Sequence, residues 1–245
     1  MLNDVINIAK KAGKIIMKNY HDLSYTNKID KSPVTKADLQ SSSFICDSLS
    51  SAFNLPILSE ENIIDYDIRK NWKEYWLVDP LDGTKDFLTK NGEFTVNIAL
   101  VKNRVPVLGV IYAPAIDDCW WASKGKGSYK NGDKILNSSK RKKLIGLDSR
   151  HHQSEQTTKF FKNNHISDII HAGSSLKMCK IAEGYADIYP RLNGTKEWDT
   201  AAAEIILNEA NCSIITYPDK SPLKYNKRNL KNPFFIAFKN ELAWI

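Results

Sequence analysis

Acidic side chains beside turns are the residues of this sequence best suited to chemistry. In segment 76–87 an apolar run leads to Asp79, and a following proline and glycine predict a turn that brings Asp79 and Asp82 together. Two carboxylates so close repel each other unless a cation lies between them. Mg²⁺ binds oxygen ligands and accepts a backbone carbonyl such as that of Leu81. The segment therefore predicts a divalent-cation site.

The two residues that follow these aspartates suit a phosphate group. Gly83 leaves the backbone open to close approach, and Thr84 begins a predicted helix whose N-terminus favours anions. The alternative is a polar turn with N-capping carboxylates, which is the usual explanation for a single pair of aspartates. The other acidic residues of the chain help to decide between the two.

Four more acidic residues lie near the ends of predicted elements. Glu60 and Glu61 follow a short apolar run. Asp199 directly precedes a predicted helix, and Asp38 lies early in another; taken singly, each suits an N-cap or a helix dipole. Together the acids predict a carboxylate cage for two or three Mg²⁺ ions, formed by Asp38, Glu60, Glu61, Asp79, Asp82 and Asp199. Such a cage suits hydrolysis of a phosphate ester, because the ions activate water and stabilise the attacking and leaving oxygens.

The spacing of apolar residues predicts the elements that position these acids. Three- and four-residue spacings predict helices at 2–20, 37–52, 153–163, 175–183 and 200–210. Short apolar runs predict strands at 56–58, 75–78, 95–101, 107–112, 144–147, 186–189, 213–216 and 234–238, and glycines within 125–132 predict a hairpin region. The polar stretch 136–143 is the predicted boundary between an N-terminal half, 1–138, and a C-terminal half, 139–245.

Composition narrows the class of protein. The chain has 245 residues with an ordinary globular composition, and no apolar run approaches the roughly 18 residues needed to cross a bilayer. The sequence begins without a secretory signal, so we expect a cytoplasmic protein. Its four cysteines are scattered without zinc-ligand spacing, which favours reduced thiols. A net charge of +7 favours an anionic partner, but the basic cluster 140–143 has no neighbouring aromatic residue on which a base could stack.

Three motifs, taken in order, resemble those of the lithium-sensitive inositol monophosphatase superfamily. They are Ser-Glu-Glu at 59–61, Asp-Pro-Leu-Asp-Gly-Thr at 79–84 and Trp-Asp at 198–199. Segments 32–35, 91–100, 109–114, 173–177, 182–184, 189–191 and 222–226 resemble its bacterial branch of 3'(2'),5'-bisphosphate nucleotidases. The resemblance implies an α+β fold, a layered α/β/α/β/α sandwich. It also implies release of the 3'-phosphate of adenosine 3',5'-bisphosphate in sulfur assimilation, giving AMP, with 3'-phosphoadenosine 5'-phosphosulfate as a further substrate.

The resemblance also implies which residues hold the metal ions. By position in the motifs, Glu60, Asp79 and the Leu81 carbonyl would hold one Mg²⁺ ion. Asp79, Asp82 and Asp199 would hold a second. Lithium, a small competing cation, is expected to inhibit an enzyme of this kind.

Catalytic roles follow from the same resemblance. Asp38, paired with Thr84, would orient and help to deprotonate the attacking water, and Glu61 would act through a further water molecule at the metal site. Two positions depart from the family pattern. Asp86 stands where a glutamate is common, and Ala203 replaces a frequent glycine, which puts the helix packing beside the site in question.

The substrate residues are implied in the same way. They are Gly83, Thr84, Gly173, Ser174, Ser175, Lys177, Arg191 and Asp199. A glycine turn offers open amides, and the cations offer charge-assisted hydrogen bonds to a phosphate. From the sequence alone, Lys177 could equally be a solvated helix lysine.

Other functions remain open at this stage. The same metal cage would serve inositol monophosphate or fructose 1,6-bisphosphate, which need no shelf for an adenine ring. A module that binds nucleic acid through its basic surface is the alternative of a different class, and it predicts salt-sensitive binding without a metal. We expect a small nucleotide as partner, no nucleic acid and no membrane span. A monomer is favoured, and peripheral contact with the cytoplasmic face of the inner membrane stays open.

Overall fold

The computed structural model describes residues 1–28 and 32–242, which form helices packed between and outside β-sheets. The helices are α1 (Leu2–Lys18), α2 (Lys36–Ala52), α3 (Tyr66–Arg69), α4 (Thr84–Leu88), α5 (Glu155–Asn163), α6 (Leu176–Ala182) and α7 (Glu197–Glu209). The strands are β1 (Tyr25–Asn27), β2 (Pro33–Thr35), β3 (Ile57–Ser59), β4 (Glu74–Asp82), β5 (Thr95–Lys102), β6 (Val105–Ala113), β7 (Asp118–Ser123), β8 (Ser128–Lys130), β9 (Asp133–Ile135), β10 (Ile145–Ser149), β11 (Asp168–Ala172), β12 (Ile188–Arg191), β13 (Cys212–Thr216) and β14 (Phe235–Lys239).

Two large sheets and three helical layers form the sandwich that the family resemblance implies. The seven-stranded sheet has the order β3-β4-β5-β6-β7-β8-β9, and the five-stranded sheet has the order β11-β10-β12-β14-β13. Helices α1 and α2 cover the outer face of the first sheet, and α5 packs against β12 of the second. Helices α6 and α7 lie between the sheets. The layers therefore follow the order α/β/α/β/α, and the predicted α+β class is confirmed.

Strand β4 shows how the core is divided between the layers. Its side chains alternate across the sheet, so Tyr75 and Leu77 pack with the central helices while Trp76 and Val78 pack beneath α1 and α2. A strand covered on both faces reads as a continuous apolar run, which is why its position is clear from the sequence. Packing on both faces therefore holds β4 in place up to its first aspartate, Asp79.

Helix α7 packs very closely on the seven-stranded sheet. An added Cβ at Gly109 in β6 would lie 2.4 Å from the backbone oxygen of Ala202, so the strand must have glycine there. The small side chains of the buried run Ala201 to Ala203 allow the helix to approach the sheet closely. Ala203, the departure from the family pattern, is therefore accommodated.

Comparison with the sequence-based prediction shows where local patterns fail. The long helices and the core strands are confirmed, with ends that differ by a few residues. Helix α7 begins at Glu197, so the predicted start at Thr200 is wrong. Strand β11 was not predicted, because its edge position leaves it mostly exposed and without a clear apolar pattern. Among the described residues, no helix combines the length and apolar character needed to cross a membrane.

The first sheet is built from residues up to Ile135, and the second from Ile145 onward. Helices α6 and α7 come from the later part of the chain, yet α7 packs against the first sheet. The division into halves at residue 138 stays a prediction.

A buried carboxyl in α7 makes the stability of the fold depend on pH. Glu204 accepts a 2.6 Å hydrogen bond from the Tyr225 hydroxyl, and burial raises its pKa from 4.5 to about 7. Because folding favours the neutral form, this carboxyl destabilises the fold as pH rises from the unfolded pKa through the folded one. We predict that Glu204→Gln raises the free energy of unfolding by about 3 kcal/mol at pH 8 but by less than about 1 kcal/mol at pH 5.

Urea denaturation at the two pH values measures this difference. The exposed Glu155→Gln is the matched control and should show no comparable gain at pH 8. An equal effect of Glu204→Gln at both pH values would contradict the prediction.

Candidate active site

The end of β4 carries two of the predicted metal ligands. The strand does not end at Asp79, as the sequence analysis predicts, but continues to Asp82 with an irregular register between the two aspartates. Within this bulge the Leu81 N–H donates to Asp79 Oδ1 at 3.1 Å. Gly83 then turns the chain with a φ of 89°, a conformation that favours glycine, and α4 follows. The bulge replaces the simple turn of the prediction and still brings the aspartates together.

Three carboxylates meet at one point beside this bulge. One oxygen each from Asp79, Asp82 and Asp199 lies within 4.8 Å of the others. Loss of solvent and then the repulsion of neighbouring carboxylates raise the pKa of Asp82 to about 6 and that of Asp199 to about 8, and they raise the pKa of Asp79 strongly. Such a donor set fits a hard divalent cation, which would relieve the repulsion.

Asp199 reaches this point from the first turn of α7. It does not precede the helix but is its third residue, and its Oδ2 accepts a 2.8 Å hydrogen bond from the backbone N–H of Lys196. The prediction of the helix start was wrong because an aspartate at this position resembles an N-cap in sequence. The hydrogen bond to Lys196 fixes the carboxyl group, so the helix start sets its direction.

Glu60 and Glu61 follow β3, which pairs in parallel with β4 and ends beside it. Burial and then the charge of Glu60 are the largest causes of the raised pKa of Asp79, so Glu60 belongs to the same electrostatic cluster. Lys28 donates to Glu60 Oε1 at 2.7 Å and to Glu61 Oε1 at 2.6 Å. The chain thus supplies its own cation to this pair. Burial raises the pKa of Glu61.

Asp38 and Thr84 form a hydrogen-bonded pair on the other side of Leu81. The Thr84 hydroxyl donates to Asp38 Oδ1 at 3.1 Å and lies 3.5 Å from the Leu81 carbonyl oxygen. Asp38 is the third residue of α2, and its Oδ2 accepts a 2.8 Å hydrogen bond from the backbone N–H of Thr35. Burial raises the pKa of Asp38. Both oxygens of this carboxylate are therefore held in place.

A cavity of about 620 Å³ connects the carboxylate cluster to the C-terminal part of the chain. Its lining includes the predicted ligands Glu60, Asp79, Leu81, Asp82 and Asp199 and all of the predicted substrate residues, Gly83, Thr84, Gly173, Ser174, Ser175, Lys177, Arg191 and Asp199. Of the remaining predicted residues, Asp38 contacts the cavity through Thr84, and Glu61 reaches it through Lys28. Residues from both parts of the chain thus share one pocket.

Lys177 is a buried residue of this pocket, so its alternative interpretation as a solvated helix lysine is wrong. Its ammonium group donates to the carbonyl oxygens of Ala172 at 3.0 Å and Ser174 at 2.7 Å. It also lies 5.3 Å from the centre of the Tyr189 ring. Burial lowers its pKa to about 8, so the group is still largely protonated at neutral pH. Lys177 therefore stabilises the loop before α6 and supplies positive charge to the cavity.

Arg191 is the second buried cation of the cavity. Its guanidinium donates to the Gly194 carbonyl at 3.1 Å, and its Nε has no hydrogen-bond partner within residues 1–28 and 32–242. A buried donor without a partner is rare and costly, and it suits an anionic ligand. The guanidinium also donates to the His152 carbonyl at 3.4 Å. Partial loss of solvent and then the charge of Arg191 lower the pKa of this histidine to about 4, although the residue is exposed at the surface.

Glu93 and His151, which the sequence analysis did not single out, fix the surroundings of the loop before α6. Glu93 accepts a 2.8 Å hydrogen bond from the Gly173 N–H, and His151 Nε2 lies 3.0 Å from Asp86. A Cβ at Gly173 would lie 2.6 Å from the Asp86 carboxylate, which explains the glycine. Asn97 was also missed, although a polar residue within an apolar strand is a signal that could have drawn attention to it.

Known proteins share this sequence and fold over nearly the whole chain. A model of the inositol monophosphatase family matches residues 1–234. The 3'(2'),5'-bisphosphate nucleotidase CysQ of Salmonella typhimurium is 39% identical over 243 residues, which cover 96% of this chain and 98% of that protein. The protein of the same name from Buchnera aphidicola is 41% identical over 228 residues, 89% of this chain and 84% of that protein. The crystal structure of CysQ from Bacteroides thetaiotaomicron matches with a TM-score of 0.89 and 37% identity, covering 98% of this chain and 97% of that one.

The repulsion within the carboxylate cluster can be measured without substrate. We predict that Asp199→Asn raises the melting temperature of the metal-free protein, because it removes one charge while the amide oxygen can still accept the Lys196 hydrogen bond. Mg²⁺ should raise the melting temperature of the unmodified protein and have much less effect on the variant. Thermal melts in a chelator and in millimolar Mg²⁺ provide both values.

The exposed Asp133→Asn, outside the cavity, is the control for a change of one charge. If Asp199→Asn and Asp133→Asn behave alike in both buffers, the cluster does not bind a cation.

Proposed function

Because this chain belongs to the inositol monophosphatase family, we propose that it is a metal-dependent 3'(2'),5'-bisphosphate nucleotidase. It would hydrolyse the 3'-phosphate of adenosine 3',5'-bisphosphate to give AMP and phosphate, and would also act on 3'-phosphoadenosine 5'-phosphosulfate. One observation carries the proposal: a cavity has a cluster of three carboxylates at one end and two buried cations, Lys177 and Arg191, in its wall. The relatives named for this activity match nearly the full chain.

The donor set supports two or three Mg²⁺ ions as the cofactor. Glu60, Asp79 and the Leu81 carbonyl would hold one ion, and Asp79, Asp82 and Asp199 a second. These ions would neutralise the phosphate and lower the pKa of water, as divalent ions do in phosphoryl hydrolysis. Mg²⁺ is favoured by the all-oxygen donor set, which contains no cysteine or histidine.

Asp38 and Thr84 are the proposed acceptors of the proton of the attacking water. The Thr84 hydroxyl already donates to Asp38 Oδ1, so it can accept a proton from water while it passes its own to the carboxylate. Burial raises the pKa of Asp38, which makes the carboxylate a stronger base. Glu61 would act through a further water molecule at the metal site, and Lys28 holds its carboxylate in position.

The proposed substrate residues line the same cavity as the carboxylate cluster. Gly83 and Ser174 would contact a phosphate group, whereas the expected open amides of Gly173 and Ser175 already donate to Glu93 and Asp82. Arg191 would direct its free Nε to the remaining phosphate of the nucleotide. Lys177 lines the cavity and would attract the phosphate mainly through its charge, since two of its three N–H donors already bind carbonyl groups.

The cellular setting stays a set of predictions. We propose a small nucleotide as the partner, a monomer and a cytoplasmic location, with contact at the inner membrane left open. Inositol monophosphate and fructose 1,6-bisphosphate are the alternative substrates of the same metal site.

A panel of substrates tests the proposed reaction. We predict Mg²⁺-dependent phosphate release from adenosine 3',5'-bisphosphate at a higher kcat/KM than from inositol monophosphate, which has no second phosphate for Arg191, or from fructose 1,6-bisphosphate, which has no adenine ring. Lithium in the range of tens of millimolar, the order of magnitude expected for competition at oxygen sites, should inhibit the reaction.

Asp82→Asn should lower kcat by orders of magnitude without unfolding the protein, because it removes a proposed metal ligand.

Faster phosphate release from inositol monophosphate or from fructose 1,6-bisphosphate would assign the protein to that alternative activity. No Mg²⁺-dependent release from any of the three, by protein with normal circular dichroism, would overturn the proposal. Salt-sensitive binding to an oligonucleotide, with no metal requirement, would favour the nucleic-acid alternative.

Arg191 provides the test of nucleotide selectivity. Arg191→Met should raise KM for adenosine 3',5'-bisphosphate by roughly 10- to 100-fold, since a hydrogen bond to a charged group contributes about 1.5–3 kcal/mol. The kcat/KM for inositol monophosphate should change little, because that substrate has no second phosphate. A uniform loss with both substrates would mean that Arg191 supports the loop and does not bind the nucleotide.

A further inference from the structure

A chain of buried polar side chains connects strand β5 to one of the proposed metal ligands. Asp82 Oδ2 accepts a 2.6 Å hydrogen bond from the backbone N–H of Ser175 and lies 3.4 Å from the side-chain nitrogen of Asn97. The Ser175 hydroxyl donates to Asn97 Oδ1 at 2.9 Å, and it lies 2.8 Å from the Thr95 hydroxyl. These residues come from two distant parts of the sequence and meet between the sheet and the loop before α6.

The burial of these groups shows that the arrangement has a cost. Thr95 is fully buried, and Asn97 and Ser175 are each 1% exposed. Both Thr95 and Asn97 lie in a strand whose other residues are almost all apolar. A buried amide or hydroxyl destabilises the fold unless it is hydrogen-bonded, and an apolar residue would fill the space at no such cost.

The directions of the hydrogen bonds leave little freedom. A carboxylate only accepts, so the Asn97 amide must present its NH₂ group to Asp82 and its oxygen to Ser175. The Ser175 hydroxyl uses its single proton on Asn97, so the Thr95 hydroxyl donates to Ser175. Every group in the chain is thereby oriented toward Asp82.

Both recorded hydrogen bonds on the Asp82 carboxylate, in the described part of the chain, go to the same oxygen. Oδ2 is held by Ser175 and Asn97, which fixes the rotation of the carboxyl group. Neither bond uses Oδ1, so Oδ1 would remain available to a cation held together with Asp79 and Asp199. The same two donors also stabilise the ionised form of Asp82, since hydrogen bonds to a carboxylate lower its pKa.

We propose that Asn97 and Ser175 are positioning residues that orient Asp82 for a divalent cation, with Thr95 holding Ser175 in place. The inference deepens the proposed function, on which it rests, and gives Ser175 a role beyond that of a substrate contact. Groups that orient metal ligands typically change metal affinity or activity by about 10- to 100-fold when they are removed.

Because Ser175 also lines the substrate cavity, it connects the binding of the substrate to the binding of the metal ion. A nucleotide that orders the loop of residues 173–175 holds the Ser175 N–H against Asp82. By thermodynamic linkage, a substrate that strengthens metal binding must itself bind more tightly when the metal is present.

Direct cation binding tests the inference without any turnover. Mn²⁺ is titrated into metal-free full-length protein and followed by electron paramagnetic resonance and calorimetry, for the unmodified chain, Asn97→Leu and Ser175→Ala. We expect the Kd of the tightest Mn²⁺ site to rise by about 10- to 100-fold in Asn97→Leu. A smaller rise is expected in Ser175→Ala, which keeps the backbone N–H.

Kinetics should distinguish positioning from a general structural defect. In both variants the Mg²⁺ concentration for half-maximal activity should rise, and excess Mg²⁺ should restore most of kcat. The matched control is Asn91→Ala, which removes an asparagine amide from Asp86, a carboxylate outside the metal cluster. Its Kd for Mn²⁺ should stay within about twofold of the unmodified value.

The outcomes separate this inference from the proposed function. Unchanged Mn²⁺ affinity in both variants overturns the positioning role even if the enzyme is an active nucleotidase. Weakened Mn²⁺ binding supports it even if the preferred substrate proves to be a different phosphate ester. Should Asn97→Leu fail to fold, Ser175→Ala and Thr95→Val decide the question, since each removes one hydroxyl from the same chain of hydrogen bonds.

Discussion

Repulsion among clustered carboxylates is the constraint on which the rest of this structure depends. Asp79, Asp82 and Asp199 lie within 4.8 Å of one another, and their charges raise one another's pKa after burial has already done so. Folding can tolerate such a cluster only if rigid elements hold it together and a cation is available to compensate it. The bulged end of β4 and the first turn of α7 provide the rigidity.

The chain places cations of its own around this cluster. Lys28 pairs with Glu60 and Glu61, and the buried Lys177 and Arg191 line the same cavity as the aspartates. Burial raises the pKa values of Asp82 and Asp199 most strongly, while the charge of Lys177 lowers the pKa of the first and that of Arg191 lowers the pKa of the second. These cations therefore compensate part of the negative charge of the cluster.

The sequence predicts the chemistry of the site better than its construction. The motifs at 59–61, 79–84 and 198–199 identify the acidic residues, because ligand chemistry depends on residue type. The helices and strands with strong apolar periodicity are also predicted correctly. The bulge in β4, the early start of α7 and the burial of Lys177 could not be predicted. The bulge and the burial of Lys177 depend on contacts between residues far apart in sequence, which override local preference, whereas the predicted start of α7 was wrong because an aspartate in the first helical turn resembles an N-cap. Asn97 shows the same limit, since its partner Ser175 lies 78 positions away.

The tight contact between Gly109 and α7 makes a residue outside the cavity matter to the cluster. A side chain at position 109 would press on the carbonyl of Ala202, only one helical turn beyond Asp199. Since a helix moves as a rigid body more readily than it bends, such pressure would shift the aspartate relative to its two partners. Position 109 of this chain therefore has to be glycine for the sake of the cluster, although it does not line the cavity.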